Sequence, residues 1–277
     1  MTKHLFTLTL SAVLFFSPLV FSPFARGYGQ DVHSLLGEGN EALSQNKLHE
    51  AAEAFQKAID INPSSVRAHE GLGLALYRAI IAGNVRPSAG SDVIERAESN
   101  LNQAIDLSPS SAKPLAELSD LEAFLAAGAV DPDEKSDRYK QAQELLKRVV
   151  ALDPGKADVY LRLANLERDQ FGPTIRGAAQ QAAARFSSNK GPLPDADLRH
   201  KLQQQYGSLI DDAIANAQKA SELNGNSPRP LLLTSRLFRE RAVIRETPEQ
   251  YSADMHSADD WQIQFQAVGG HLERGDK

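Results

Sequence analysis

The sequence predicts an all-α fold, a solenoid of about five stacked helical hairpins with an insertion in the fourth. Three observations lead there. AIDINPSSVRA at 58 to 68 returns as AIDLSPSSAKP at 104 to 114, as VVALDPGKADV at 149 to 159 and, more loosely, as ASELNGNSPRP at 220 to 230. Around each copy apolar and small residues recur three, four and seven positions apart, the period of a helix that buries one face. Each copy reads as a helix end, a tight turn and the start of the next helix, and so short a unit must stack on its neighbours to bury its face.

The first unit spans 32 to 65. Leu35, Glu38, Gly39 and Ala42 share one helical stripe, Gln45-Asn46-Lys47 breaks it, and Ala51, Phe55 and Ala58 form a second stripe. Gly39 and Ala51 are small where two helices must approach closely, so a large side chain at either would push them apart. With Gly39, Ala51, Phe55, Ala58 and the closing Pro63 in place, residues 32 to 65 resemble the tetratricopeptide repeat over its full length of about 34 residues. Leu35 stands where that family commonly has tryptophan. The resemblance implies a concave groove lined by the first helix of each unit, and a scaffold for a protein or peptide partner rather than an enzyme, with no cofactor.

Unit two, 66 to 111, carries His69, Leu72, Gly73 and Leu76, then Ala97, Leu101, Ala104 and Pro109. Its excess length falls at Ala82 to Ser91, which the Gly, Pro and Ser content predicts as a loop. Unit three, 112 to 156, has Leu115, Leu118 and Ser119, then Ala142, Leu146, Val149 and Pro154, with a loop expected at Gly128 to Ser136. Unit four, 157 to 226, pairs Tyr160, Leu163 and Ala164 with Ala213, Ala217 and Ala220. Between them an extra alanine-rich helix is expected from Thr174 to Phe186, starting after Pro173. Ser187 to Pro194 is then loop, and Asp195 or Asp197 caps a long helix toward Leu223. Unit five, 227 to 268, has one helix from Leu231 to Glu246 and another begun by Thr247-Pro248-Glu249, its apolar material being Met255, Ala258, Trp261, Ile263 and Phe265. Residues 269 to 277 read as a frayed tail.

Ahead of the repeats, Lys3-His4, an apolar run from Leu5 to Phe21 interrupted by Pro18, and Ala25-Arg26-Gly27 read as a secretory signal peptide, residues 1 to 27, cut after Gly27. A periplasmic or secreted protein is expected, with an uncleaved N-terminal membrane anchor as the alternative and no membrane span after the signal is removed. The absence of cysteine excludes a disulfide framework, a thiol nucleophile, a cysteine zinc site and a lipid-bearing lipobox. Loss of Lys3 and Arg26 takes the formal charge from −6 to −8, a balance that speaks against nucleic-acid binding.

No chemistry-bearing constellation stands out. The histidines at 4, 33, 49, 69, 200, 256 and 271 never pair at the helical spacing of a metal site. Asp211-Asp212 and Asp259-Asp260 are adjacent, so their carboxylates leave a helix on different sides and read as solvated faces. Gly71-Leu72-Gly73 lies inside a helical stripe with no strand before it, and Gly73 reads as a packing position.

What remains is the groove. On the resemblance it is lined by Asn40 and Leu43 in unit one, then Arg67, Glu70, Leu74, Tyr77 and Arg78 in unit two, and Lys113, Ala116, Asp120 and Phe124 in unit three. Leu161, Arg162, Asn165 and Arg168 follow from unit four, and Arg229, Leu232, Arg236 and Arg239 from unit five. Arginine outnumbers acid in this set, which suits an acidic or carboxylate-bearing protein or peptide. The partner-binding candidates are Arg67, Tyr77, Arg78, Lys113, Phe124, Arg162, Asn165, Arg168, Arg236 and Arg239. The carboxylate clamp of some family members is incomplete here: Asn40 and Lys113 fall at two of its places, while Leu36, Gly71 and Glu117 occupy others. The alternative is an enzyme or small-ligand binder with its site in the insertion at 171 to 206, where His200 is the one histidine.

Overall fold

The repeated sequence folds as one turn used four times. In the computed structural model Asn62, Ser108, Asp153 and Asn224 each accept a backbone hydrogen bond through their carbonyl from the residue three positions on, at 3.1, 3.0, 3.3 and 3.1 Å. The structure describes residues 24–83, 91–185 and 191–270, and the side chains of all of these but 24–30, 91 and 185. The expected signal segment lies outside the described residues as far as residue 23. The first helix starts at Phe24 and runs through the expected cleavage point.

Among the described residues there are ten helices and no strand, paired as five antiparallel hairpins. They are α1 Phe24–Ser44 with α2 Leu48–Ile61, α3 Val66–Ile81 with α4 Ser91–Leu107, α5 Ala112–Gly128 with α6 Pro132–Leu152, α7 Ala157–Arg185 with α8 Ala196–Leu223, and α9 Pro228–Val243 with α10 Pro248–Ala267. Each second helix packs on the first helix of the next unit, so the hairpins stack as a solenoid. Side chains close the helix starts: the Ser65 hydroxyl accepts from Ala68 N–H, the Asp195 carboxylate from Leu198 N–H and the Thr247 hydroxyl from Gln250 N–H. Each such cap is worth about 1 kcal/mol.

Close approach is built into the small positions. A Cβ on Gly39 would stand 2.6 Å from the Phe55 ring, and one on Gly71, in the next unit, 2.4 Å from it. Gly73 takes Leu101 in the same way. At the corresponding position Ser119 donates its hydroxyl to the Ala142 carbonyl at 2.9 Å, and Ser235 to Ala258 at 2.8 Å, so a buried hydroxyl replaces the glycine contact and is satisfied. The core runs in two stretches that meet along α7: Leu163 and Leu166 belong to the first, and Ala164, Phe171 and Ile175 to the second.

Four local expectations are corrected. The separate helix from Thr174 does not form, because α7 continues unbroken through Pro173. Proline costs that helix one backbone hydrogen bond, but Phe171 and Ile175 on either side are fully buried with Ile210 and Leu237, and this packing holds the helix together. The loop expected at Gly128 to Ser136 is mostly helix: Asp131 caps it by accepting from Asp133 N–H at 2.8 Å, and Pro132 is its first residue. Leu43, expected in the groove, is buried in the core. Gly269 and Gly270 close α10 rather than fray: Gly269 is left-handed at φ +79°, and Gly270 N–H bonds the Phe265 carbonyl at 3.0 Å. Residues 84–90, within the first expected loop, and 271–277 of the expected tail lie outside the described residues.

Candidate functional site

The first helices α3, α5, α7 and α9 present their inner faces side by side, and ion pairs join each to the next. Lys113 on α5 bonds Glu70 on α3. Arg162 on α7 reaches Asp120 on α5 at 2.7 Å and Asp158 on its own helix at 2.9 Å. Arg168 grips Glu240 on α9 through Nε at 3.1 and 3.0 Å and Nη2 at 2.6 Å, and Arg176 joins the same carboxylate at 2.7 Å. Arg239 extends the series to Asp259 on α10 at 2.7 Å. The excess of arginine seen in the sequence is therefore matched on this surface by acids from neighbouring helices.

These pairs set the electrostatics. Lys113 and Arg162 lose hydration on burial, but the carboxylates beside them outweigh that loss and hold their pKa values above the ordinary range. Burial raises Asp120 in spite of Arg162, and it raises Tyr77 with help from the Asp120 charge. Glu117 is the most constrained group. It lies on the α5 stripe of Lys113, Asp120 and Phe124, is 8% exposed, and its Oε2 has no hydrogen-bond partner. Burial first, and then Glu70 and Asp120, push its pKa up to about 7 against the opposing pull of Lys113 and Arg78.

The ten sequence candidates thus divide. Lys113, Arg162, Arg168 and Arg239 are committed to ion pairs, and half-buried Arg236 is engaged as well. Asn165 is exposed and donates to the Leu161 carbonyl at 2.8 Å. Tyr77 is half-buried, Phe124 is 42% exposed, and the Arg67 and Arg78 guanidiniums are exposed with no ion pair or hydrogen bond to a described residue. Sequence reasoning named Glu117 only as a departure from the carboxylate clamp and did not single out Arg176. The first was visible as part of the stripe 113, 117, 120, 124. The second depends on Gly172, across which the Arg176 side chain folds: a Cβ there would stand 2.6 Å from Nη1.

Other buried acids belong to the frame. Glu167 on α7 accepts from Gln143 at 3.1 Å and from Asn216 at 3.1 and 2.9 Å, and burial pushes its pKa up to about 7. Arg138 gathers Glu98, Glu122 and Glu134 from α4, α5 and α6. Asp254 on α10 is held by Arg241 and Arg245 at 2.6 Å each. Asp211 and Asp259 are exposed, as a solvated face requires, and each also makes an ion pair, with Arg241 and Arg239 respectively. In the stretch 171 to 206, exposed His200 lies 3.2 Å from Glu246 and 2.9 Å from Gln204. A crevice of about 1000 Å³ opens on the outer side between α2, α3 and α4; Leu48, Ala52, Ala75, Leu76 and Val93 give it an apolar lining, and its polar groups pair with one another, Lys47 with Glu50, His49 with Glu53 and Arg96 with Gln56. Among the described residues no His, Asp and Glu groups converge as a metal site, and no helix is long and apolar enough to cross a membrane.

Paired helices, repeated turns and a face lined by first helices define a helical-hairpin repeat protein. The family model of the tetratricopeptide repeat matches residues 39–79, and the fold is the tetratricopeptide-type solenoid. The chain is similar to the crystal structure of MamA protein, at 14% identity and a TM-score of 0.54, over 88% of this chain and 99% of that one. It is also similar to PilF of Pseudomonas aeruginosa, at 16% identity and 0.52, over 89% and 80%. A third likeness is to residues 41 onward of MamA from Desulfovibrio magneticus RS-1, at 12% identity and 0.54, over 86% and 95%. At these identities the likeness is one of fold. No curated protein matches the sequence.

Proposed function

We propose that this protein is a non-enzymatic scaffold of the cell envelope that holds a protein or peptide partner against the inner face of its first helices. Tetratricopeptide proteins generally mediate protein-protein interaction, and on this reading the surface used is the inner face of α3, α5, α7 and α9. One observation carries the reading. The inner face is braced from helix to helix by ion pairs, yet Arg67, Arg78, Phe124 and Asn165 stand exposed on it, so fixed polar and apolar groups are offered on a rigid frame. Export rests on the basic start, apolar run and Ala25-Arg26-Gly27 of the sequence.

A photo-reactive amino acid placed at Tyr77 or Phe124 tests the groove, with Lys57 and Lys147 as outer-face controls. Groove positions are expected to cross-link a partner in the native host, and outer positions are not. Adducts confined to the outer face would overturn the reading. For export, the intact mass of the envelope-fraction protein should correspond to a chain beginning at Tyr28. A full-length cytosolic species would contradict it.

A further inference from the structure

Two guanidiniums on α3 remain outside the ion-pair frame, and their placement is specific. Arg67 and Arg78 are eleven residues apart, which on a helix is three turns with a rotation of about 20°, so both project from one stripe, about 16 Å apart. Leu74 lies between them on that stripe, partly buried. Tyr77 flanks it toward α5, where Phe124 adds exposed aromatic surface. Of the neighbouring acids, Glu70 is engaged with Lys113 and Asp120 with Arg162, while Glu117, which feels the Arg78 charge, is buried 3.7 Å from Lys113. Exposed Arg229 stands at the other end of the stack, on α9.

We propose that the inner face of α3 receives an acidic segment of a partner protein, with two carboxylates bracketing one apolar side chain. This rests on the groove reading above and narrows it. An extended chain advances about 3.3 Å per residue, so carboxylates about five residues apart span the two arginines. Each guanidinium offers paired N–H donors that fit a carboxylate, and the apolar side chain between them meets Leu74 and Tyr77. A basic segment finds no unengaged acid exposed on this stripe and meets two cations instead. Arg162 and Arg168 hold helices together and do not contribute to recognition.

A random dodecapeptide library displayed on phage, selected on the intact chain, tests this. The expected winners carry two acidic residues four to six positions apart around a leucine or aromatic residue. For one such peptide, Arg67→Glu/Arg78→Glu should weaken binding by more than about tenfold, with melting temperature and helical signal unchanged, and Arg67→Lys/Arg78→Lys should recover part of the loss. Winners without acids, or equal binding by the charge-reversed variant, overturn the proposal while leaving the groove reading in place. If no sequence is enriched over the bare support, the groove reading itself fails, and this proposal with it.

Discussion

Arg168 and Glu240 meet across the inner face of the solenoid, 72 residues apart in sequence, with the guanidinium lying along both carboxylate oxygens of a nearly buried acid. The pair ties α7 to α9 where the first helices of units four and five run side by side. Arg168→Ala leaves that acid with only half-exposed Arg176, and breaking a buried pair in this way costs about 3 kcal/mol. Arg176→Ala should cost less than about 1 kcal/mol. Urea unfolding of both variants checks this, and equal midpoints would show that the pair does not brace the stack.

Glycine substitutions separate close contact from helix propensity. Gly71→Ala brings a methyl to 2.4 Å from the ring of buried Phe55, and overpacking of this kind costs about 1 to 3 kcal/mol. Gly37 in α1 has no atom within 4 Å of an added Cβ, so Gly37→Ala should stabilise by up to about 1 kcal/mol. Melting curves should move in opposite directions. A shift upward for both would mean that Phe55 yields freely and that α2 and α3 are not closely packed there.

Glu117 gives the stability a pH dependence of definite sign. Its carboxyl has a pKa of about 7 in the folded chain against 4.5 when unhindered, so between these values the folded state holds a proton that the unfolded state has released. Stability contributed by this group therefore falls as pH rises from about 4.5 to 7, and is level above that. Glu117→Gln removes the buried charge and should be more stable than the parent at pH 8 by on the order of 1 to 2 kcal/mol, with a shallower slope below pH 7. Glu167 adds to the parent slope for the same reason. A glutamine variant with an unchanged slope would contradict the placement of Glu117.

The hairpins were legible because their signals are local. The loosest copy, Asn224 to Ser227, makes the same turn as the others although Gly225 replaces its proline. Where tertiary packing overrules a local rule, sequence reasoning failed: Pro173 reads as a helix start, but buried Phe171 and Ile175 carry α7 past it. Asp131-Pro132 is a helix start that the Gly and Asp content around it concealed. The candidate surface was legible only as a set of residue types. Lys113 with Glu70, Arg162 with Asp120 and Arg168 with Glu240 join residues 43, 42 and 72 positions apart, and such pairings depend on the register between helices, which no local pattern encodes. The same register hides which arginines stay unpaired. Gly71 likewise touches a side chain of the preceding unit, so its role shows only once the hairpins are stacked.

The most direct test of the central claim is amide hydrogen exchange on the intact protein, with and without a saturating peptide from the library selection. Binding to the inner face predicts slowed exchange in α3, α5 and α7, centred on the turns that carry Leu74, Asp120 and Asn165, with α2, α4, α6 and α8 unchanged. Protection confined to those second helices, or to the outer crevice between α2 and α4, would contradict the account.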